Sequence, residues 1–134
     1  MKKEEQSIAL GARQHTVTLP NGLRIVCEER PADVLYCGYI VKAGTRHEEE
    51  ADSGLAHFLE HLSFKGTARR RSWQITNGLE RVGGDLNAFT NKQETAFTAI
   101  VLREDFTRAA DLLTDIVFRS AYLQKEMDRE VEVV

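Results

Sequence analysis

Three residues of this 134-residue chain stand at a spacing that suits metal chemistry: His57, Glu60 and His61. On a helix turning by about 100° per residue they fall within an arc of roughly 100°. Two histidines four apart can both reach one metal ion, and imidazole nitrogen is a favoured ligand for zinc. A carboxylate beside them can accept a proton from water at that ion. Leu55, Phe58, Leu59 and Leu62 occupy the opposite side, an apolar stripe fit to pack on a sheet. The same five-residue pattern also arises by chance on exposed helices, where the histidines are simply solvated.

The flanking sequence supplies the ends of such a helix. Asp52 or Ser53 can cap its first N–H groups. Lys65-Gly66 ends it after Phe64, with a cation in the last turn and a glycine able to turn left-handed. Before it, His15 to Leu19 and Leu23 to Glu28 alternate around Pro20-Asn21-Gly22, a hairpin signal. Tyr36 to Ala43 reads as a further strand, and residues 1 to 14 as a flexible lead-in. A second helix is expected from Ser72 to Val82, then strands from Asp85 to Thr90 and Thr95 to Leu102. Next comes an amphipathic helix from Glu104 to Arg119, with Phe106, Ala109, Ala110, Leu113, Ile116 and Val117 on one stripe. A last helix starts near Gln124 and runs to the final residue, Val134. This order predicts an α+β fold, a largely antiparallel sheet covered by helices on one face. Residues 15–134 are expected to form one domain or a large piece of one.

Composition excludes several roles. The net charge is −3 and no long basic run is present, so nucleic-acid binding is not expected. Arg69-Arg70-Arg71 reads as a solvated loop. No apolar run approaches the roughly 18 residues of a membrane span. The segment Met1-Lys2-Lys3-Glu4-Glu5-Gln6 is charged with both signs, unlike a signal peptide. If Met1 is the native start, the location is cytoplasmic. Cys27 and Cys37 lack C-x-x-C spacing and are expected as two buried thiols.

His57-Phe58-Leu59-Glu60-His61 has the H-x-x-E-H form of the inverted zincins. The run Gly54 to Thr67 closely resembles the pitrilysin, insulysin and mitochondrial processing peptidase β-subunit family, and so does Leu79 to Thr90. The resemblance covers nearly everything from Val17 onward. It implies a zinc metalloendopeptidase half-domain acting on peptide or unfolded polypeptide. Zn²⁺ would be held by His57 and His61, with Glu60 as general base. Asn87 and Ala88 would lie on an edge strand to which substrate adds. The family's third ligand is a glutamate seven residues after another, and Asp128-Arg129-Glu130-Val131 matches the first of that pair. Glu130 would then orient a histidine ligand, and the third ligand would fall three residues beyond Val134. Glu126 or Glu132 could replace it only if that helix shifted. Gln93 stands where the family carries an acid, displaced here to Glu94, and Phe97-Thr98 where it carries an aromatic pair. The family works as two similar halves, so a second homologous half or partner subunit is expected to complete the protein. Alone, the chain is expected to be inactive and to dimerise through uncovered apolar surface around Leu113 and Val117. The alternative is a non-catalytic peptide-binding or assembly subunit of a processing-peptidase-like complex.

Overall fold

The computed structural model describes residues 2–8 and 12–133. It divides into two compact units at Asp33 and Val34. The first is a three-stranded antiparallel sheet of β1 (Lys2–Ile8), β2 (Ala12–Thr18) and β3 (Arg24–Glu29), in the order β1-β2-β3. The expected hairpin joins β2 to β3. Gly22 adopts φ +89°, a left-handed conformation that suits glycine. The turn closes through Leu19 N–H to the Leu23 carbonyl at 2.8 Å, and the Asn21 Oδ1 accepts from Leu23 N–H at 3.1 Å. The lead-in expected over residues 1 to 14 contains β1 and the start of β2. Backbone pairing needs no apolar periodicity, which is why the sequence does not announce β1. The ends of that lead-in, Met1 and residues 9–11, lie outside the described residues.

The second unit holds the core. Strands β4 (Val34–Val41), β5 (Asp85–Thr90) and β6 (Thr95–Leu102) pair antiparallel in the order β4-β6-β5. Register sets Tyr39 opposite Phe97 and Ala88 opposite Phe97 on its other side. One face is covered by α2 (Ser72–Glu80) and α3 (Phe106–Phe118). Ile75 and Leu79 from α2 meet Phe97, Ala99 and Val101 from β6. Ala109, Leu112, Leu113 and Ile116 from α3 complete the cluster. This is the expected α+β arrangement, and β6 is the most buried strand because it has a neighbour on each side. Leu113, expected to lie uncovered, is only 1 % exposed, and Val117 packs against the same core. Burial of a leucine contributes about 1.5–3 kcal/mol, so α3 spends its stripe within this unit.

Helix α1 (Leu55–Leu62), which carries His57, Glu60 and His61, packs against β5 and against α4 (Gln124–Val133). The last residue of the chain, Val134, to which the final helix is expected to run, lies outside the described residues. The polar stripe of α1 faces these partners, while Leu55 and Leu59 stay 44 % and 39 % exposed. Only Leu62 enters the interior fully. The expectation that the whole leucine side packs on the sheet is therefore corrected. The inward side is decided by the polar partners of His61 and Glu60, which are Glu130 and Thr90. The start of α1 is also built differently. Neither Asp52 nor Ser53 caps it. Glu48 does, accepting from Gly54 N–H at 2.8 Å and Ala56 N–H at 2.7 Å. Those two backbone bonds, Ala56 first, pull the Glu48 carboxyl below its ordinary range. Gly44 lies against the β5–β6 turn, where a Cβ would stand 2.3 Å from the Asn91 carbonyl oxygen.

Arg70 is not a solvated loop residue. Its guanidinium donates to Asp115 Oδ2 at 2.7 Å and to Asp111 Oδ2 at 2.5 Å, with Thr67 donating to the same Asp115 oxygen at 2.7 Å. This ties the α1–α2 loop to α3. Asp115 has no exposed surface; burial pushes its carboxyl up, and the Arg70, Thr67 and Arg119 hydrogen bonds more than offset that and hold it down. Both cysteines are free: Cys27 is exposed on β3, against the expected burial, and Cys37 is half-buried on β4. Burial raises the Cys37 thiol. No helix among the described residues is long and apolar enough to cross a membrane.

Candidate metal centre

His57 and His61 point their Nε2 atoms at one another, 2.9 Å apart, with ring planes at 78°. In a tetrahedral zinc site two nitrogens bound at ~2.0–2.1 Å would be about 3.3 Å apart, so the two imidazoles converge on one point as a shared ion requires. Donor atoms of His57, Glu60 and His61 all lie within 4.8 Å of one another. The group fits zinc in donor chemistry as well as in geometry.

Behind His61, Glu130 reaches in from α4. It is 4 % exposed, and its Oε1 accepts from His61 Nδ1 at 2.5 Å. A donating Nδ1–H leaves the Nε2 lone pair free to face an ion. Lys65 Nζ stands 3.2 Å from the other oxygen, Oε2. The His61 hydrogen bond lowers the Glu130 carboxyl; burial works against this, and the Lys65 ammonium adds to it. Glu126 and Glu132 do not join the cluster: Glu126 accepts from Arg129 at 3.2 Å, and Glu132 is exposed.

Glu60 is positioned by a strand. The Thr90 hydroxyl, at the end of β5, donates to Glu60 Oε2 at 2.5 Å. Thr95, opposite Thr90 in register, donates to the Ala43 carbonyl oxygen at 2.9 Å. β5 is an edge strand, and Leu86, Asn87 and Ala88 on it line a pocket of about 310 Å³ together with Glu60, His61, Phe64 and Lys65. Asn87 Oδ1 accepts the Ala88 N–H at 2.9 Å. The structure thus brings His57, Glu60, His61 and Glu130 to one place, with Asn87 and Ala88 beside them. Nothing in the sequence marks Thr90, Glu48 or Lys65 as partners of helix α1 and its polar groups.

The family model for insulinase, peptidase family M16, matches residues 24–134. This chain belongs to that family. Within it, the insulinase-family chain is 40 % identical over 118 residues to an uncharacterized zinc protease, YmxG, of Bacillus subtilis, covering 87 % of this chain and 29 % of the relative. It is 37 % identical over 117 residues to the mitochondrial-processing peptidase subunit beta of Caenorhabditis elegans, covering 87 % of this chain and 26 % of the relative. A solved structure of a protease from Helicobacter pylori superposes with a TM-score of 0.86 at 28 % identity, over 90 % of this chain and 29 % of that one. The chain thus spans between a quarter and a third of the length of these relatives. The expected resemblance to the processing peptidases and the expected α+β fold both hold.

Proposed function

We propose that this chain carries the zinc-binding and proton-transferring centre of a metalloendopeptidase that cleaves extended peptides. One observation carries the reading: two imidazoles converge on a single point, with a tethered carboxylate beside them and a buried carboxylate behind one of them. His57 Nε2 and His61 Nε2 would hold the zinc ion. Glu130 keeps the His61 proton on Nδ1, so that Nε2 is always available. When bound, zinc supplies a Lewis acid that polarises the scissile carbonyl and makes neighbouring water more acidic. Glu60 takes the proton from the attacking water and can pass it to the leaving amine. Asn87 and Ala88, on the free edge of β5, offer backbone groups to a substrate added as one more strand. Phe64 and Leu86 give that pocket an apolar wall beside the charged groups.

Two imidazoles are fewer than the three protein ligands of a catalytic zinc site. A third carboxylate, and a second half or partner subunit enclosing the peptide, therefore belong to the proposal, and these 134 residues alone would bind zinc weakly and turn over little substrate. A subunit that only bound peptide would need the β5 edge and would have no use for Glu60, His57 and His61 together. The test is Glu60→Gln in the full-length protein. Hydrolysis of a quenched fluorescent peptide should fall by about 10²–10⁴ with the zinc content unchanged. Loss of the metal along with the activity would make Glu60 a ligand and overturn the assignment.

A further inference from the structure

We propose that Thr90 is the positioning residue for the base: its hydroxyl holds Glu60 through Oε2 and leaves Oε1 as the oxygen that receives the proton from water. The inference rests on the metallopeptidase reading above and deepens it.

Proton accounting carries the argument. Thr90 has one hydroxyl proton and two oxygens near it, Glu60 Oε2 at 2.5 Å and Thr95 Oγ1 at 3.4 Å. The proton of Thr95 is already given to the Ala43 carbonyl oxygen at 2.9 Å, so Thr95 cannot donate to Thr90. The Thr90 proton goes to the carboxylate, the shorter and charge-assisted of the two contacts. Thr90 itself is stiff, because a β-branched side chain on a strand has few rotamers. Glu60 is not stiff, having three side-chain torsions to settle. The helix α1 therefore decides where Glu60 begins, and the end of β5 decides where its carboxylate points. With the Thr95 proton committed to Ala43, no hydrogen from Thr95 competes for the Thr90 oxygen, and the Thr90 hydroxyl is left to Glu60.

The experiment compares Thr90→Val, which removes the hydroxyl at nearly constant shape, with Thr90→Ser, which keeps it. In the zinc-loaded full-length protein, kcat on a quenched fluorescent peptide should fall by about 10–100-fold in the valine variant, the range typical for losing a group that orients a metal site. KM and zinc stoichiometry should stay unchanged, and the serine variant should recover most of kcat. A crystal structure of Thr90→Val should show the Glu60 carboxylate in more than one rotamer. A valine variant with wild-type kcat and a single Glu60 rotamer would overturn the proposal. Equal losses in both variants would also overturn it, because they would mark a role for shape alone. Absence of zinc-dependent hydrolysis in the wild type would sink the peptidase reading instead, while the Glu60 rotamers still decide whether Thr90 holds that side chain.

Discussion

Replacing Asp115 by alanine removes one acceptor from three donors at once. Arg70 Nη1 and Thr67 Oγ1 each lie 2.7 Å from Asp115 Oδ2, and Arg119 Nη1 lies 3.3 Å from Oδ1. Breaking a buried ion pair from one side costs about 3–5 kcal/mol, because the other charge is left without its partner. Two features place this case at the low end. Arg70 keeps Asp111 Oδ2 at 2.5 Å, and Arg119 is exposed enough for water to replace its partner. The expected loss is therefore about 3 kcal/mol, which for a unit of this size is a fall in Tm of roughly 10–20 °C. The carboxyl is held below its ordinary value of 3.8 in the folded state. Its contribution is thus complete above the unfolded value and fades as pH falls through the folded one. Thermal unfolding of the wild type and Asp115→Ala at neutral pH measures the difference, and a series toward pH 2 should show it shrinking. A neutral-pH loss under about 0.5 kcal/mol, the range of ordinary surface changes, would refute the claim that this network ties the α1–α2 loop to α3.

Two further changes probe the two ends of α1. Glu130→Gln keeps the shape but weakens the hold on His61 Nδ1, and zinc affinity by calorimetric titration should drop by about 10–100-fold; an unchanged affinity would remove Glu130 from the site. Glu48 is held below its ordinary 4.5 by the Ala56 and Gly54 N–H groups, so its cap on α1 is present above that value and lost as pH falls through the lower folded one. Tm of Glu48→Gln should accordingly lie below the wild type at pH 7 and approach it in acid, and a gap that persists at low pH would show the cap does not act through its charge.

What was legible in the sequence was local. His57, Glu60 and His61 lie within five residues, so helix geometry alone brings them together. Asn21-Gly22 marks where the chain turns, and β5, β6 and α3 follow from alternation and stripe. The partners of the site come from farther away. Thr90 stands 30 residues after Glu60, and Glu130 stands 69 after His61. Resemblance supplied Glu130, but nothing in the spacing of Thr90 marks it as a partner of the base. Leucine usually goes inward, which predicts the apolar side of α1 against the sheet; the hydrogen bonds of His61 to Glu130 and of Thr90 to Glu60 turn the other side toward α4 and β5. The anchoring of Arg70 is hidden from the sequence for a related reason. Its two acids are on α3, and a run of three arginines carries no sign of them.

The central claim is that His57 and His61 hold one zinc ion through their Nε2 atoms. X-ray absorption at the zinc edge of the zinc-loaded protein reads the ligands directly. The expected spectrum shows two imidazole nitrogens at about 2.0–2.1 Å with oxygen ligands completing the shell, and the imidazole signal is lost in the His57→Ala, His61→Ala double variant. A spectrum without imidazole scattering, or one unchanged in the double variant, would contradict it.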